Sequence, residues 1–63
     1  MDEIYVEQFA ACKNTYDDDR DTRNKVLNRV NNFFNTKTGY RVLNIIEEWS
    51  EDKSTLRLIV YYY

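Results

Sequence analysis

The sequence predicts an α+β domain in which one helix packs on a three-stranded, antiparallel sheet in the order β-α-β-β. Apolar residues recur at the helical period in the middle of the chain. β-branched and aromatic residues fill two segments after it, and a third strand-like segment precedes it. Because 63 residues suit one small domain, we treat residues 1–63 as a single domain.

The helix is the clearest element, and we expect it from about Asp18 to Thr36. Its apolar stripe repeats at i, i+1, i+4, i+7 and i+8 and consists of Val26, Leu27, Val30, Phe33 and Phe34. The aspartates at 17–19 suit the positive end of the helix dipole and can cap it. Lys37 is expected in the last turn, and Gly39 is expected in the left-handed conformation that ends many helices.

Three segments have the composition of strands. The first is expected from Glu3 to about Ala11, and the other two form a hairpin, Tyr40–Trp49 and Thr55–Tyr63. The polar run Ser50–Ser54 is the turn between them. We expect the first strand to pair with the third, which makes the sheet wholly antiparallel in the order 1-3-2. A mixed sheet, with the first strand beside the second, is the alternative.

The hairpin register follows if Ser50 faces Thr55. This register pairs Leu43 with Tyr62 and Val42 with Tyr63. One face of the hairpin then holds the expected partners of the helix stripe, which are Leu43, Ile45, Trp49, Leu56, Leu58, Val60 and Tyr62. A slip of one residue would move every side chain to the other face, so the register is a specific prediction.

The opposite face of the hairpin is also apolar and carries Val42, Ile46, Ile59, Tyr61 and Tyr63. One helix cannot cover both faces of a sheet, and exposed apolar patches usually mark an interface or a ligand site. We therefore predict these residues as a homo-oligomer interface, for a dimer or a larger assembly. A ligand platform of stacking tyrosines is the alternative. Self-association also suits a chain this short, because its own core is small.

The sequence has no histidine, one cysteine and one glycine. These counts exclude an intrachain disulfide and a tetrahedral zinc site. Cys12 has no histidine to activate it, and one glycine cannot build a phosphate loop. The alternation of Asp17, Asp19 and Asp21 resembles a calcium loop but lacks its glycine and closing glutamate, so capping is the better interpretation. We expect no enzyme activity, no metal and no cofactor.

No stretch approaches the roughly 20 apolar residues of a membrane span. The start, Met1-Asp2-Glu3, is acidic and lacks the basic and apolar regions of a signal peptide. The expected location is the cytoplasm, with no membrane partner.

Charge is segmented along the chain, with net values of −5 over residues 1–19, +5 over 20–46 and −2 over 47–63. The basic helix face and two tyrosines of the last strand form the predicted ligand-binding set, which is Arg20, Arg23, Lys25, Asn28, Arg29, Tyr61 and Tyr63. In clefts between subunits, these cations and rings suit a small anionic ligand such as a nucleotide. A solvated helix face is the alternative interpretation.

The runner-up function is a protein–protein interaction module or an inhibitor of a host protein. Its contact face would be the acidic segment 17–19 together with a stripe of asparagines on the helix, Asn24, Asn28, Asn31 and Asn35. Asparagine is a poor helix former, and such local conflicts often occur at functional surfaces. Specific DNA binding is disfavoured because the whole chain has a net charge of −2.

Four short motifs resemble a family of small sporulation-associated proteins of Bacillus-type bacteria, which has phage-borne relatives. They are Val30-Asn31-Asn32-Phe33-Phe34, Ile45, Ser50-Glu51-Asp52 and Ile59-Val60-Tyr61-Tyr62. The resemblance covers roughly residues 25–62, and this chain departs from it in a longer acidic approach to the helix, Asn14 to Arg23. The resemblance implies the same fold and a firmicute or phage origin, and it implies no activity.

Overall fold

The computed structural model describes residues 3–63, so Met1 and Asp2 of the acidic start lie outside the described residues. Its elements are the strands β1 (Tyr5–Cys12), β2 (Val42–Trp49) and β3 (Thr55–Tyr62) and the helix α1 (Asp19–Asn35). The strands form one antiparallel sheet in the order β1-β3-β2. The predicted fold class, element order and strand order are confirmed.

Both ends of α1 are held by local hydrogen bonds. The Asp18 carboxylate accepts from the Asp21 amide (2.8 Å), and the Asp21 carboxylate accepts from the Asp18 amide (3.2 Å). This reciprocal capping box confirms the predicted capping role for Asp18 among the three aspartates at 17–19. At the other end the amide of Thr36 donates back into the last turn. Gly39 adopts the left-handed conformation (φ +88°). Gly39 and Lys37 both lie beyond the cap residue Thr36, so the predicted positions of these two residues at the helix end are wrong.

The core lies between α1 and the strands β1 and β3. Its buried apolar residues are Ala11, Val26, Val30, Leu56, Leu58, Val60 and Tyr62. Full burial of one such aliphatic side chain stabilises the fold by about 1.5–3 kcal/mol. An aromatic cluster closes one end, where the Tyr62 ring centroid lies 5.1 Å from Phe34, 5.3 Å from Tyr40 and 5.4 Å from Tyr5. The predicted helix stripe therefore faces the predicted β3 residues.

The hairpin register is confirmed over most of its length. Residues 44–49 of β2 lie opposite the predicted partners in β3, residues 61–56. Ser50 and Thr55 face each other as predicted, because the Ser50 amide donates to the Thr55 carbonyl (2.9 Å). Glu48 also forms a cross-strand ion pair with Arg57.

A β-bulge between Val42 and Asn44 changes the register at the start of β2. Val42 lies opposite Tyr62, so the predicted pairs Leu43–Tyr62 and Val42–Tyr63 are wrong. The extra residue in β2 is the physical reason, since it moves every earlier residue by one position. Because facing residues share a side of the sheet, Val42 lies on the α1 side with Tyr62.

The helix covers two of the three strands. It packs on β1 and β3, and its backbone does not approach β2. Leu43 and Ile45, predicted to lie under the helix, are 50% and 40% exposed, so this prediction is wrong. The reason is width: a helix is about 10 Å across, and strands lie about 4.8 Å apart. Trp49, at the end of β2, does pack against the core.

One carboxylate organises the turn between β2 and β3. Asp52 accepts hydrogen bonds from the hydroxyls of Ser54 (2.7 Å) and Ser50 (2.8 Å) and from the Ser54 amide (3.0 Å). These bonds favour the charged form and lower the pKa of Asp52 to about 2. The carboxylate thus links the first residue of the turn to its last.

We expect Asp52→Asn to destabilise the fold at neutral pH and to weaken its acid dependence. Since the pKa is depressed in the folded chain, the carboxylate stabilises the fold above its unfolded pKa of about 3.9, and this stabilisation is lost as the pH falls towards about 2. Urea unfolding followed by circular dichroism at a series of pH values measures this. Glu51→Gln removes a neighbouring charge and is the control. Identical pH profiles for Asp52→Asn and the unchanged chain would contradict the assignment.

Candidate functional site

β2 carries an exposed apolar surface, which we call the β2 surface: Val42, Leu43, Ile45 and Ile46. Each of these side chains is between 40% and 50% exposed. Every other residue of β2 is exposed as well, except Trp49, which is half-buried. The backbone of the strand is therefore paired on one side only, with β3. Within residues 3–63, the backbone of no other element approaches it.

The backbone of β2 points alternately towards β3 and away from the sheet. Because the Ser50 amide bonds to β3, residues 44, 46 and 48 also point to β3, and 45, 47 and 49 point outward. The outward amide of Ile45 donates to the side-chain oxygen of Asn44 (2.9 Å). No second strand pairs with this edge in the described part of the chain. The outer edge of β2 thus offers backbone groups for strand pairing.

The edge formed by β1 is different, because α1 reaches over it. The Lys13 amide donates to the Ser54 carbonyl (2.7 Å), so odd-numbered residues of β1 bond to β3 and even-numbered ones point outward. The outward carbonyl of Ala10 accepts a hydrogen bond from the guanidinium of Arg29. Charged side chains over an edge strand are a common barrier to further pairing. Arg29 therefore covers the β1 edge at Ala10, whereas the backbone of α1 does not approach β2.

Three predicted ligand-binding cations already form ion pairs or hydrogen bonds with other residues of the chain. Arg23 pairs with Glu47 of β2 (2.7 Å), and this hydrogen bond raises the pKa of Arg23. Lys25 pairs with Asp17, and its hydrogen bond lowers the pKa of Asp17. Arg29 is engaged at the β1 edge. A ligand would have to share or displace these contacts.

The remaining members of the predicted ligand set lie apart. Arg20 makes no ion pair with any residue of 3–63. Asn28 is exposed on the side of α1 that points away from the sheet. Tyr61 and Tyr63 lie on the sheet face opposite to α1. One chain does not bring these rings together with the cations, so the predicted combined site would need two copies.

The predicted oligomer interface is divided by the bulge. Ile46 and Ile59 lie opposite each other on the sheet face away from α1, and Ile46 is 41% exposed. Tyr61 and Tyr63 share this face and are half-buried. Val42 belongs to the other face, where it is 47% exposed, so its predicted place in this group is wrong.

Lys25 and Arg29 line one depression beside β1. Its volume is about 320 Å³, and Asn14, Cys12 and Thr55 also line it. Two cations with an amide and a hydroxyl are groups that suit an anion. This is the part of the predicted ligand set that the fold does bring together.

The acidic segment 17–19 is used in folding contacts. Asp18 caps α1, Asp17 pairs with Lys25, and Asp19 accepts a hydrogen bond from Lys13 (2.9 Å). The Lys13 hydrogen bond lowers the pKa of Asp19. These partners leave the segment less charge to offer another protein.

Sequence reasoning missed that β2 is uncovered on its α1 side. One signal was present, because Glu47 lies between Ile45 and Trp49 on that face. A carboxylate is costly to bury beneath a helix unless it is paired. Its position therefore indicates a face that stays in contact with water.

No protein-family model, curated protein or solved structure matches this chain. The resemblance to sporulation-associated proteins stays a prediction. Among residues 3–63 no group of three or more histidine, cysteine, aspartate or glutamate side chains is placed to hold a metal ion. In the same residues no helix is long and apolar enough to cross a membrane. The fold and the β2 surface alone define the class: a two-layer α+β unit with one uncovered strand.

We expect Arg29→Ala to promote assembly into large species, because it exposes the outward carbonyl of Ala10 on β1. A chain with two open edges can pair β1 of one copy with β2 of the next, a head-to-tail contact that does not close. Sedimentation velocity and thioflavin fluorescence over a concentration series measure this. Arg20→Ala removes the same charge about two and a half helix turns away and is the control. If the two variants sediment alike, Arg29 does not hinder strand pairing at the β1 edge.

Proposed function

We propose that this chain is a non-enzymatic protein-interaction module whose docking strand is β2. The proposal rests on the exposure of β2. The strand has one neighbouring strand, and four of its aliphatic side chains are between 40% and 50% exposed. Folded proteins usually shorten, charge or cover an edge strand. β2 has 8 residues, and a typical strand has about 5–6. Its length and apolar content favour an edge that a partner covers.

Strand addition is the docking mode that fits this surface. A partner strand would bond to the outward backbone groups at 45, 47 and 49, and its alternating side chains would meet Ile45 and Ile46 on the two faces. The non-enzymatic part of the proposal rests on the sequence, which has no histidine and a single cysteine. The sequence predicted the acidic segment 17–19 as the contact face of an interaction module. We place the docking surface on β2 instead, because the carboxylates of that segment already form hydrogen bonds or ion pairs within the chain.

A double lysine variant, Ile45→Lys with Ile46→Lys, is expected to abolish docking, because it places a charge on each face of β2. Native mass spectrometry of the chain isolated from its own cells measures this. The unchanged chain should appear in a complex heavier than the 7.7 kDa monomer, and the double variant should appear as the monomer. Tyr16→Lys, at a residue that is 97% exposed and outside the sheet, is the control and should keep the complex. Equal masses for all three chains would refute the proposal.

Binding of a small anion is the second candidate function. The depression that Lys25 and Arg29 share favours it, because two cations converge there beside the amide of Asn14. A nucleotide-like ligand would place its phosphate between them. In an oligomer, Tyr61 and Tyr63 of another copy could supply rings for stacking.

We expect inorganic phosphate and ADP to shift the amide resonances of residues 10–14 and of Lys25 and Arg29 in a nuclear magnetic resonance titration. Lys25→Gln should weaken this binding, because it removes one of the two converging charges. Arg20→Gln removes a charge outside the depression and should leave the affinity unchanged. If both variants lose affinity equally, the anion is attracted by the overall charge of the helix, and the depression is not a specific site.

A further inference from the structure

We infer that the occupant of the β2 edge is a second copy of this chain, paired antiparallel to form a six-stranded sheet in the order β1-β3-β2-β2-β3-β1. This inference rests on the proposed function, because it names the partner of the same docking strand. Three properties of the described residues support a second copy rather than a foreign strand. They are the charges along β2, the position of its apolar residues and the difference between the two sheet edges.

The charges along β2 are self-complementary only in the antiparallel direction. Arg41 lies directly before its start and Glu51 lies just after its end, and neither makes an ion pair within residues 3–63. Glu47 and Glu48, in contrast, already pair with Arg23 and Arg57. An antiparallel second copy places the basic end of one strand beside the acidic end of the other, twice per dimer. A parallel copy would place like charges side by side. Opposite-charge pairs across strands are favourable and like pairs are unfavourable.

The apolar residues lie where a twofold axis would bring them together. β2 runs from 42 to 49, so its midpoint falls between Ile45 and Ile46. Facing residues of antiparallel strands share a backbone direction and a sheet face, so the twofold axis must pass through a residue of β2. An axis at Ile46 sets Ile46 opposite Ile46 of the other copy, and it pairs the outward residue Ile45 with Glu47 of the other copy on the α1 side. Side chains that are 40% and 41% exposed in one chain would then have neighbours.

Arg29 covers part of the β1 edge and so works against growth of the sheet beyond two copies. Pairing through β2 uses the β2 edge of each copy and leaves two β1 edges at the ends of the sheet. Arg29 engages the outward carbonyl of Ala10 on each. Such a dimer is closed and isologous, which is the commonest form of symmetric assembly.

Sedimentation equilibrium of the purified chain tests the inference, with a mass of twice 7.7 kDa expected at micromolar concentration. Ile45→Pro removes the outward amide without removing a hydrogen bond to β3. It should raise the dimer dissociation constant about tenfold or more, whereas Ile45→Val should stay within about threefold. A dimer that tolerates the proline would not be paired through this edge, and the inference would fail.

Disulfide trapping in a Cys12→Ser background tests the direction of pairing. Ile46→Cys, near the strand midpoint, should form a crosslinked dimer, and Arg41→Cys, at the strand end, should not. Crosslinks at both positions would show parallel pairing and overturn the inference. A purified chain that stays monomeric at about 100 μM also overturns it. In that case the proposed function still stands if the complex from cells contains a foreign protein and is lost in the double lysine variant.

Discussion

The width of one helix is the constraint on which the rest of the structure depends. A helix of about 10 Å across covers two strands spaced by about 4.8 Å, and this chain has one helix for three strands. α1 lies over β1 and β3, so the central strand is buried on that side and β2 is not. The pattern of burial follows directly, because Leu56, Leu58 and Val60 alternate with exposed or half-buried residues along β3. The same constraint leaves the face of β2 on the α1 side exposed.

Because β2 has no helix over it, the hairpin must hold it in place. A two-stranded hairpin is marginal in water, so its local contacts matter. Asp52 ties the two ends of the turn, and ion pairs link Glu48 to Arg57 and Glu47 to Arg23. Exposed ion pairs contribute little each, typically about 0–1 kcal/mol. The strand is thus well defined in register but weakly packed, which is the condition in which a partner strand adds most.

Most of the fold could be predicted from the sequence because its signals are local. The apolar stripe from Val26 to Phe34 and the aspartates before it define the helix, and the polar run 50–54 defines the hairpin register. The bulge at Val42 could not be predicted, since the flanking residues carry no glycine or other marker of an extra residue. The position of α1 across the sheet is also a tertiary property. It depends on packing such as Phe9 with Phe33 (5.4 Å), and composition does not encode it.

The ligand site was harder to predict than the fold, because a run of charges in a sequence does not show which side chains form ion pairs with each other. The acidic run 17–19 and the basic residues after it look like two surfaces, yet the chain folds them onto each other through Lys13–Asp19 and Lys25–Asp17. Helix capping and these pairs account for the charge of that segment without any ligand. Arg41 and Glu51 make no ion pair within residues 3–63 and lie at opposite ends of β2. Two charges that folding leaves without an ion pair, one of each sign, therefore lie at the two ends of the uncovered strand.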